Sequence, residues 1–286
     1  MKNKKKRDPF LLRMVRAAFP VFERVAPFVS DRIFRLVFYV PLKYPVPEKE
    51  REVEKDASTS HLNVNGKKLV VRTWGDRSRP YVLLVHGWAG RATQFRKFIP
   101  VLLQQGFAVV GPDGPAHGRS EGRATSIPEF DIMFRAIYQA YGEPAGIITH
   151  SFGGAAILYS AMNGLPIRKL VNIASPSIGD EILKTFLRAI NGSWMSAERF
   201  KKYVLRRTGK TFDEFTASYA IQRLPGPLDL LVINDTEDKD VVFRSAEEIV
   251  RVYPSAKLYP TTGLGHTRIL RDDQVIARAV EFVAGP

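Results

Sequence analysis

The run Ile147-Ile148-Thr149-His150-Ser151-Phe152-Gly153-Gly154 holds the arrangement in this chain best suited to covalent chemistry. An apolar segment ends at a serine, small residues follow at once, and residues 155–159 then suit a helix. A strand that turns sharply into a helix at a serine lifts the hydroxyl clear of the sheet. It also leaves unpaired backbone N–H groups of the helix N-terminus beside that hydroxyl. Gly153 and Gly154 permit the close approach of strand and helix that such an elbow needs. Two positions before the serine, where G-x-S-x-G has glycine, stands the β-branched Thr149, which is expected to strain the turn slightly. The same window also fits a serine at an ordinary helix N-cap. A serine hydroxyl is a poor nucleophile near neutral pH until a base takes its proton, and that base needs an orienting acid. Downstream stand Asp235, Asp238 and Asp240, and then His266 after Gly265.

These groups can meet only if the intervening elements bring several strand ends to one edge. His61-Leu62-Asn63-Val64 and Lys68-Leu69-Val70-Val71 flank Asn65-Gly66, a strong hairpin signal. Residues 81–85 form a solid apolar run of the kind buried in a parallel sheet. Helix 93–105, strand 107–110, helix 128–141 opening at Pro128, strand 146–149, helix 152–163 and strand 169–174 follow. This alternation predicts an α/β fold, a mostly parallel twisted sheet with helices on both faces. It stops at Ser175. Residues 178–227 show only helical patterns and read as a cap insertion, because about fifty residues exceed a plain loop. Strand 228–233, helix 244–252, strand 256–259 and helix 272–283 resume the pattern. An open parallel sheet carries its ligand chemistry at the carboxyl ends of its strands. Those ends supply His86-Gly87-Trp88, Asp113 to Ser120, Ser151, Asn234 to Asp238, and Gly265-His266.

The 286 residues suit one large α/β domain with an insertion, and the absence of cysteine excludes disulfides, thiol nucleophiles and thiolate metal sites. The organisation expected is a basic amphipathic helical leader and linker over 1–55, a core over 56–177 and 228–286, and a helical cap over 178–227. Net charge is +14, and residues 1–43 hold eleven Lys or Arg against Asp8, Glu23 and Asp31. Charges interrupt the leader too often for a bilayer span or a signal peptide. Its helices are expected to break near Pro20 and Pro27, with a linker from Pro41 to Lys55. They would dock on the main domain or make a peripheral contact with an anionic membrane. No nucleic-acid module is recognisable, so no nucleic-acid partner is expected. The expected location is cytoplasmic, or peripheral to the inner face of a membrane.

Serine, then acid, then histidine, each just past a different strand, resembles the α/β-hydrolase superfamily from about residue 58 onward. Four windows carry the resemblance: His86-Gly87-Trp88, the elbow at Ser151, Asp238 in the loop after its strand, and Gly265-His266. It implies Ser151 as nucleophile, His266 as general base and then acid, and Asp238 as orienting carboxylate. The backbone N–H groups of Phe152 and Trp88 would form the oxyanion hole, supported by His86, Gly87 and Gly153. Asp235 is a reserve acid and more a turn residue, and Asp180 is a third candidate. His86 and His117 are expected to support loops, Asp113 to hydrogen-bond within its own loop, and His150 to stand behind the nucleophile. A metal held by His117 and Glu121 lacks a third ligand, so no metal or other cofactor is expected.

A serine at the elbow implies acyl transfer to water, so the resemblance points to an esterase- or lipase-like carboxylic ester hydrolase acting on a small-molecule acyl ester. Thioesterase, lactonase, amidase or cofactor-free perhydrolase chemistry would use the same triad. A non-catalytic binding protein of the same fold is the alternative of a different class. Phe186, Leu187, Trp194, Met195, Phe200, Phe212 and Phe215 either line an apolar acyl site or form the cap's own core. Lys201, Lys202, Arg206, Arg207 and Lys210 suit either an anionic substrate such as a CoA thioester or a solvated face. The sequence sets no oligomeric state.

Overall fold

The computed structural model describes residues 10–285. The helices are α1 (Phe10–Val25), α2 (Pro27–Tyr39), α3 (Glu48–Lys55), α4 (Phe98–Gln104), α5 (Ile127–Tyr141), α6 (Phe152–Met162), α7 (Gly179–Ile190), α8 (Trp194–Thr208), α9 (Ala217–Ile221), α10 (Arg244–Val252), α11 (Gly265–Arg268) and α12 (Asp273–Ala284). The strands are β1 (Ser58–Val64), β2 (Lys67–Trp74), β3 (Tyr81–Val85), β4 (Ala108–Pro112), β5 (Gly146–His150), β6 (Lys169–Ile173), β7 (Asp229–Asp235) and β8 (Lys257–Thr261). They fall into two compact units. One comprises Val40–Ile178 with Asp213–Pro286, the other Met1–Tyr39 with Gly179–Phe212.

The first unit is built on one eight-stranded sheet in the order β1-β2-β4-β3-β5-β6-β7-β8. β1 and β2 form the antiparallel hairpin expected at Asn65-Gly66, both of which take positive φ (50° and 73°), and β3 to β8 run parallel. Side chains alternate across this sheet. Leu83, Val85, Ile147, Leu170 and Val232 face α5, α6 and α10, whereas Val82, Leu84, Ile148, Val171 and Ile233 face α4 and α12. Each such fully buried side chain contributes about 1.5–3 kcal/mol of burial energy, so both faces must be covered. The strand order reverses at β3, which has β4 on one side and β5 on the other. Such a reversal opens a crevice at the carboxyl ends of β3 and β5.

Residues 48–55, expected to be linker, form α3. Apolar periodicity could not reveal it, because ions and hydrogen bonds fasten it. Glu54 pairs with the buried Arg72 (2.5 Å), Glu50 accepts from Thr93 (2.9 Å), and the Val53 carbonyl accepts from the Trp74 indole (2.8 Å).

The second unit is helical, with α1 against α7 and α2 against α8. α1 passes through Pro20 without the expected break and ends at Val25. Proline has no N–H, so the carbonyl four residues back is left without its helical donor. That carbonyl, of Arg16, accepts instead from the Asn191 side chain in the turn between α7 and α8 (3.3 Å). Glu23 fastens the next stretch, accepting from Ser193 N–H (3.1 Å) and the Ser196 hydroxyl (2.5 Å). Phe38 packs on Phe186 and Phe200, with ring centroids 4.6 and 4.5 Å apart, and Phe34 packs on Phe200 at 4.9 Å. Most of the aromatic residues of 178–212 therefore make this unit's own core. Trp194 and Met195 stay exposed, and Phe215 belongs to the sheet unit, stacked on Tyr159.

Candidate active site

Ser151 joins β5 to α6 with φ 52° and ψ −124°. For a residue with a Cβ this region costs on the order of 1–3 kcal/mol, and it persists only where the surroundings enforce it. The surroundings are strict. Ser151 N–H donates to the Ile173 carbonyl (2.8 Å), which ties the elbow to β6. A methyl group on Gly153 would lie 2.7 Å from the carbonyl oxygens of Val85 and His86, and one on Gly87 would lie 2.8 Å from Ser151 Cβ. The loop after β3 is thus pressed onto the elbow, and only glycine fits at either contact.

The strain sits at Ser151 and not at Thr149, contrary to expectation. Thr149 is fully buried within β5, and its hydroxyl donates to the Val171 carbonyl (3.2 Å) and the Asn172 side-chain oxygen (3.0 Å). The polar side chain that replaces glycine in the motif is satisfied by the next strand.

His266 lies on α11, in the loop after β8. Its Nε2 is 3.1 Å from Ser151 Oγ and its Nδ1 is 2.8 Å from Asp238 Oδ2. An ionised carboxylate only accepts, so Nδ1 carries the imidazole proton and Nε2 is left to accept from the serine. Asp238 Oδ1 meanwhile accepts from the backbone N–H groups of Asp240 (2.8 Å) and Val241 (3.0 Å), which fixes the carboxylate plane. Its side chain is fully buried, against 16% exposure for His266.

Asp235 has a different task. Burial would raise its carboxyl, but donors from Leu264 N–H (2.9 Å), the Thr261 hydroxyl (2.8 Å), Gly265 and Glu237 outweigh that and hold it below the usual carboxylate range. It pins the loop that carries His266. Asp180 pairs with Lys201 (2.7 Å) within the helical unit.

The alpha/beta hydrolase family matches residues 82–279, more than half of the chain. The chain belongs to the α/β-hydrolase family. It is similar to the human serine hydrolase-like protein, 33% identical over 91 residues that make up 30% of this chain and 44% of that protein. It is also similar to human monoglyceride lipase, 26% identical over 110 residues, or 35% of this chain and 36% of that one. The chain thus spans less than half the length of these curated relatives. Its fold is that of the Pyrococcus furiosus esterase, with a TM-score of 0.64 at 17% identity over 86% of this chain and 96% of that structure.

The other expected residues lie in the loops around Ser151, His266 and Asp238. His86 Nε2 accepts from Gly114 N–H (2.8 Å), so Nδ1 bears the proton and donates to the Gly87 carbonyl (2.8 Å). Burial holds this imidazole below its ordinary pKa. Trp88, next in the loop, sets its ring edge-on to Phe152 at 5.3 Å. Asp113 accepts from Arg119 N–H (2.9 Å) within its loop and also from Ala92 N–H (3.0 Å), and it pairs with Arg72 (2.9 Å). His117 Nδ1 donates to the Pro115 carbonyl (2.9 Å), and burial, then the neighbouring His86, pushes its pKa down to about 3.

Glu121 accepts from the Lys68 N–H (2.8 Å). Among the described residues, the group of His, Asp and Glu with metal-ligand spacing is Asp238, Asp240 and His266. It shares the Asp238–His266 contact, so a cation there would displace the Nδ1 proton from that bond.

His150 carries a contact that its position in the sequence did not disclose. Its Nε2 donates to the backbone carbonyl of His266 (2.9 Å), and the two rings lie 4.7 Å apart. Burial, then the adjacent His266, pushes the His150 pKa down to about 3, so it is a neutral strut between the elbow and the histidine loop. A histidine beside the serine was the only available signal.

Proposed function

We propose that this chain is a serine hydrolase that cleaves a carboxylic ester through an acyl-enzyme. The observation that carries the reading is the unbroken hydrogen-bonded line from Ser151 Oγ through His266 to Asp238, anchored on a strained elbow. Ser151 Oγ attacks the ester carbonyl while His266 Nε2 takes its proton, and Asp238 stabilises the imidazolium. The developing oxyanion is met by the backbone N–H groups of Phe152, first residue of α6, and Trp88, whose loop is pressed on the elbow. Each such donor typically contributes about 3–4 kcal/mol to lowering the barrier. Collapse expels the alcohol, which takes the proton from His266. Water then attacks the acyl group with His266 as base, releasing acid and free serine.

Esters are favoured as substrates because the similar proteins of known name include a lipase and an esterase. The aromatic residues of 178–212 add no argument for a long acyl chain, since Phe186, Phe200 and Phe212 are occupied in their own core. The test is a p-nitrophenyl ester panel, from acetate to long acyl chains, on wild type and Ser151→Ala. Serine-dependent turnover on at least one ester is expected. Turnover that persists in Ser151→Ala, or none on any ester while thioesters are cleaved, overturns the ester assignment.

A further inference from the structure

We propose that the outer face of α1 and α2 docks on an anionic lipid bilayer. Charge is the first observation. Residues 1–39 and 179–212 carry 18 Lys or Arg against 6 Asp or Glu, a net +12 of the chain's +14, while the sheet unit carries 25 against 23. The charge is thus concentrated in the unit that lacks the serine and its partners.

Exposed apolar surface is the second. Met14 (53%), Val21 (58%), Val25 (74%), Phe28 (76%) and Leu36 (55%) stand out from these two helices. At about 100° per residue, Met14, Val21 and Val25 fall within about 40° of one another on α1, with Ala17, Arg24 and Arg13 along one flank. Phe28, Arg32 and Leu36 repeat every fourth residue on α2. The flanking Arg13, Arg24 and Arg32 are themselves exposed. This stripe is not the side by which α1 packs in its own unit. Phe19 is fully buried, and Glu23, on the face opposite Met14, holds Ser193 and Ser196. Met195, 64% exposed, adds a further apolar side chain next to that fastening.

Apolar side chains rimmed by arginine match the headgroup region of an anionic membrane, where the former enter the acyl boundary and the latter meet phosphates. Nucleic acid would use the charge but leave Val25 and Phe28 in water. A second copy would bring two units of net +12 face to face, which long-range repulsion opposes. No described helix is long and apolar enough to cross a bilayer, so the contact is a surface one. Docking is independent of the ester-hydrolase reading, and its test does not depend on turnover.

The full chain is floated with vesicles of pure phosphatidylcholine and of phosphatidylcholine mixed with phosphatidylglycerol, at low and high salt. The mixed vesicles should bind at least about tenfold more protein, and salt should weaken that binding. The double variant Val25→Glu/Phe28→Glu should lose binding about tenfold or more, since charges replace inserted apolar groups. Both positions are solvent-exposed, so its circular dichroism should match wild type. Arg13→Gln/Arg24→Gln/Arg32→Gln should lower the preference for the anionic vesicles. No binding, equal binding to both vesicle types, or a Val25→Glu/Phe28→Glu variant that floats like wild type overturns the proposal. So does a concentration-dependent dimer that dissociates in that variant, which would assign the face to a second copy.

Discussion

The two units of this chain solve opposite problems. The sheet unit is nearly charge-balanced, holds all five histidines, and commits its polar groups inward, to one another. Arg72, Asp113, His86, His117, His150, Asp235 and Asp238 are all buried there, and hydrogen bonds or ion pairs hold each of them. The helical unit contains no histidine, gathers the positive charge, and among the described residues leaves eight of the twelve exposed large hydrophobic side chains in water. Buried polar networks fix geometry to fractions of an ångström, as a reacting centre requires. Exposed apolar and basic side chains fix nothing by themselves and act only when something covers them. On the two proposals above, chemistry and attachment are thereby separated, and each can be broken without the other.

The widest separation should come from Asp238→Asn. An amide in place of the carboxylate no longer enforces the Nδ1–H tautomer of His266, and kcat should fall about 10⁴-fold. Vesicle flotation should not change. Asp235→Asn, at the neighbouring buried carboxylate, should instead loosen the His266 loop and appear first as lost thermal stability. Equal kinetic losses in the two variants would erase the distinction drawn between them.

Acid should act on the sheet unit first. In the helical unit Glu23, whose burial is outweighed by its donors Ser196 and Ser193, is held below the usual carboxylate range and yields only at lower pH. His117 and His150 have folded pKa values of about 3, against about 6.5 in an unfolded chain. The unfolded state therefore binds more protons between those values. The stability these histidines contribute is fully present above about pH 6.5 and is lost as pH falls toward 3, at up to about 1.4 kcal/mol per pH unit for each histidine. Urea unfolding followed by hydrogen exchange should show β3 to β5 losing protection with acid while α1 and α8 change less. His117→Gln should flatten the acid slope.

How much of this was legible follows the same division. Apolar runs and the Asn65-Gly66 turn disclosed the sheet, because burial on both faces writes itself into consecutive residues such as 81–85. The serine, acid and histidine windows could be picked out because each follows a strand. What periodicity could not disclose was structure held by single polar contacts. α3 is fastened through Glu50 and Glu54, α1 survives Pro20 because Asn191 covers the Arg16 carbonyl, and Thr149 is satisfied by Asn172 one strand away. Each depends on a partner distant in sequence, which no local pattern records.

His150→Phe keeps a ring but removes the donor to the His266 carbonyl. About a tenfold loss in kcat with little change in KM is expected, since His266, the proposed base, is displaced and substrate contacts are not. An unchanged kcat would reduce His150 to packing. The smallest effect belongs to the helical unit. Asn191 takes φ 56° and covers the Arg16 carbonyl, so Asn191→Ala should cost about 1–2 kcal/mol. Asn191→Gly should cost less, because glycine removes the backbone penalty and loses only the hydrogen bond. Equal costs would mean that the side-chain bond alone matters.

The most direct test of the central claim is covalent labelling by a fluorophosphonate, read by mass spectrometry on the intact, folded chain. The arrangement of Ser151, His266 and Asp238 predicts one adduct, on Ser151, that vanishes in Ser151→Ala and slows greatly in His266→Gln. A folded chain that takes no label, or one whose label sits on another residue and survives Ser151→Ala, would contradict it.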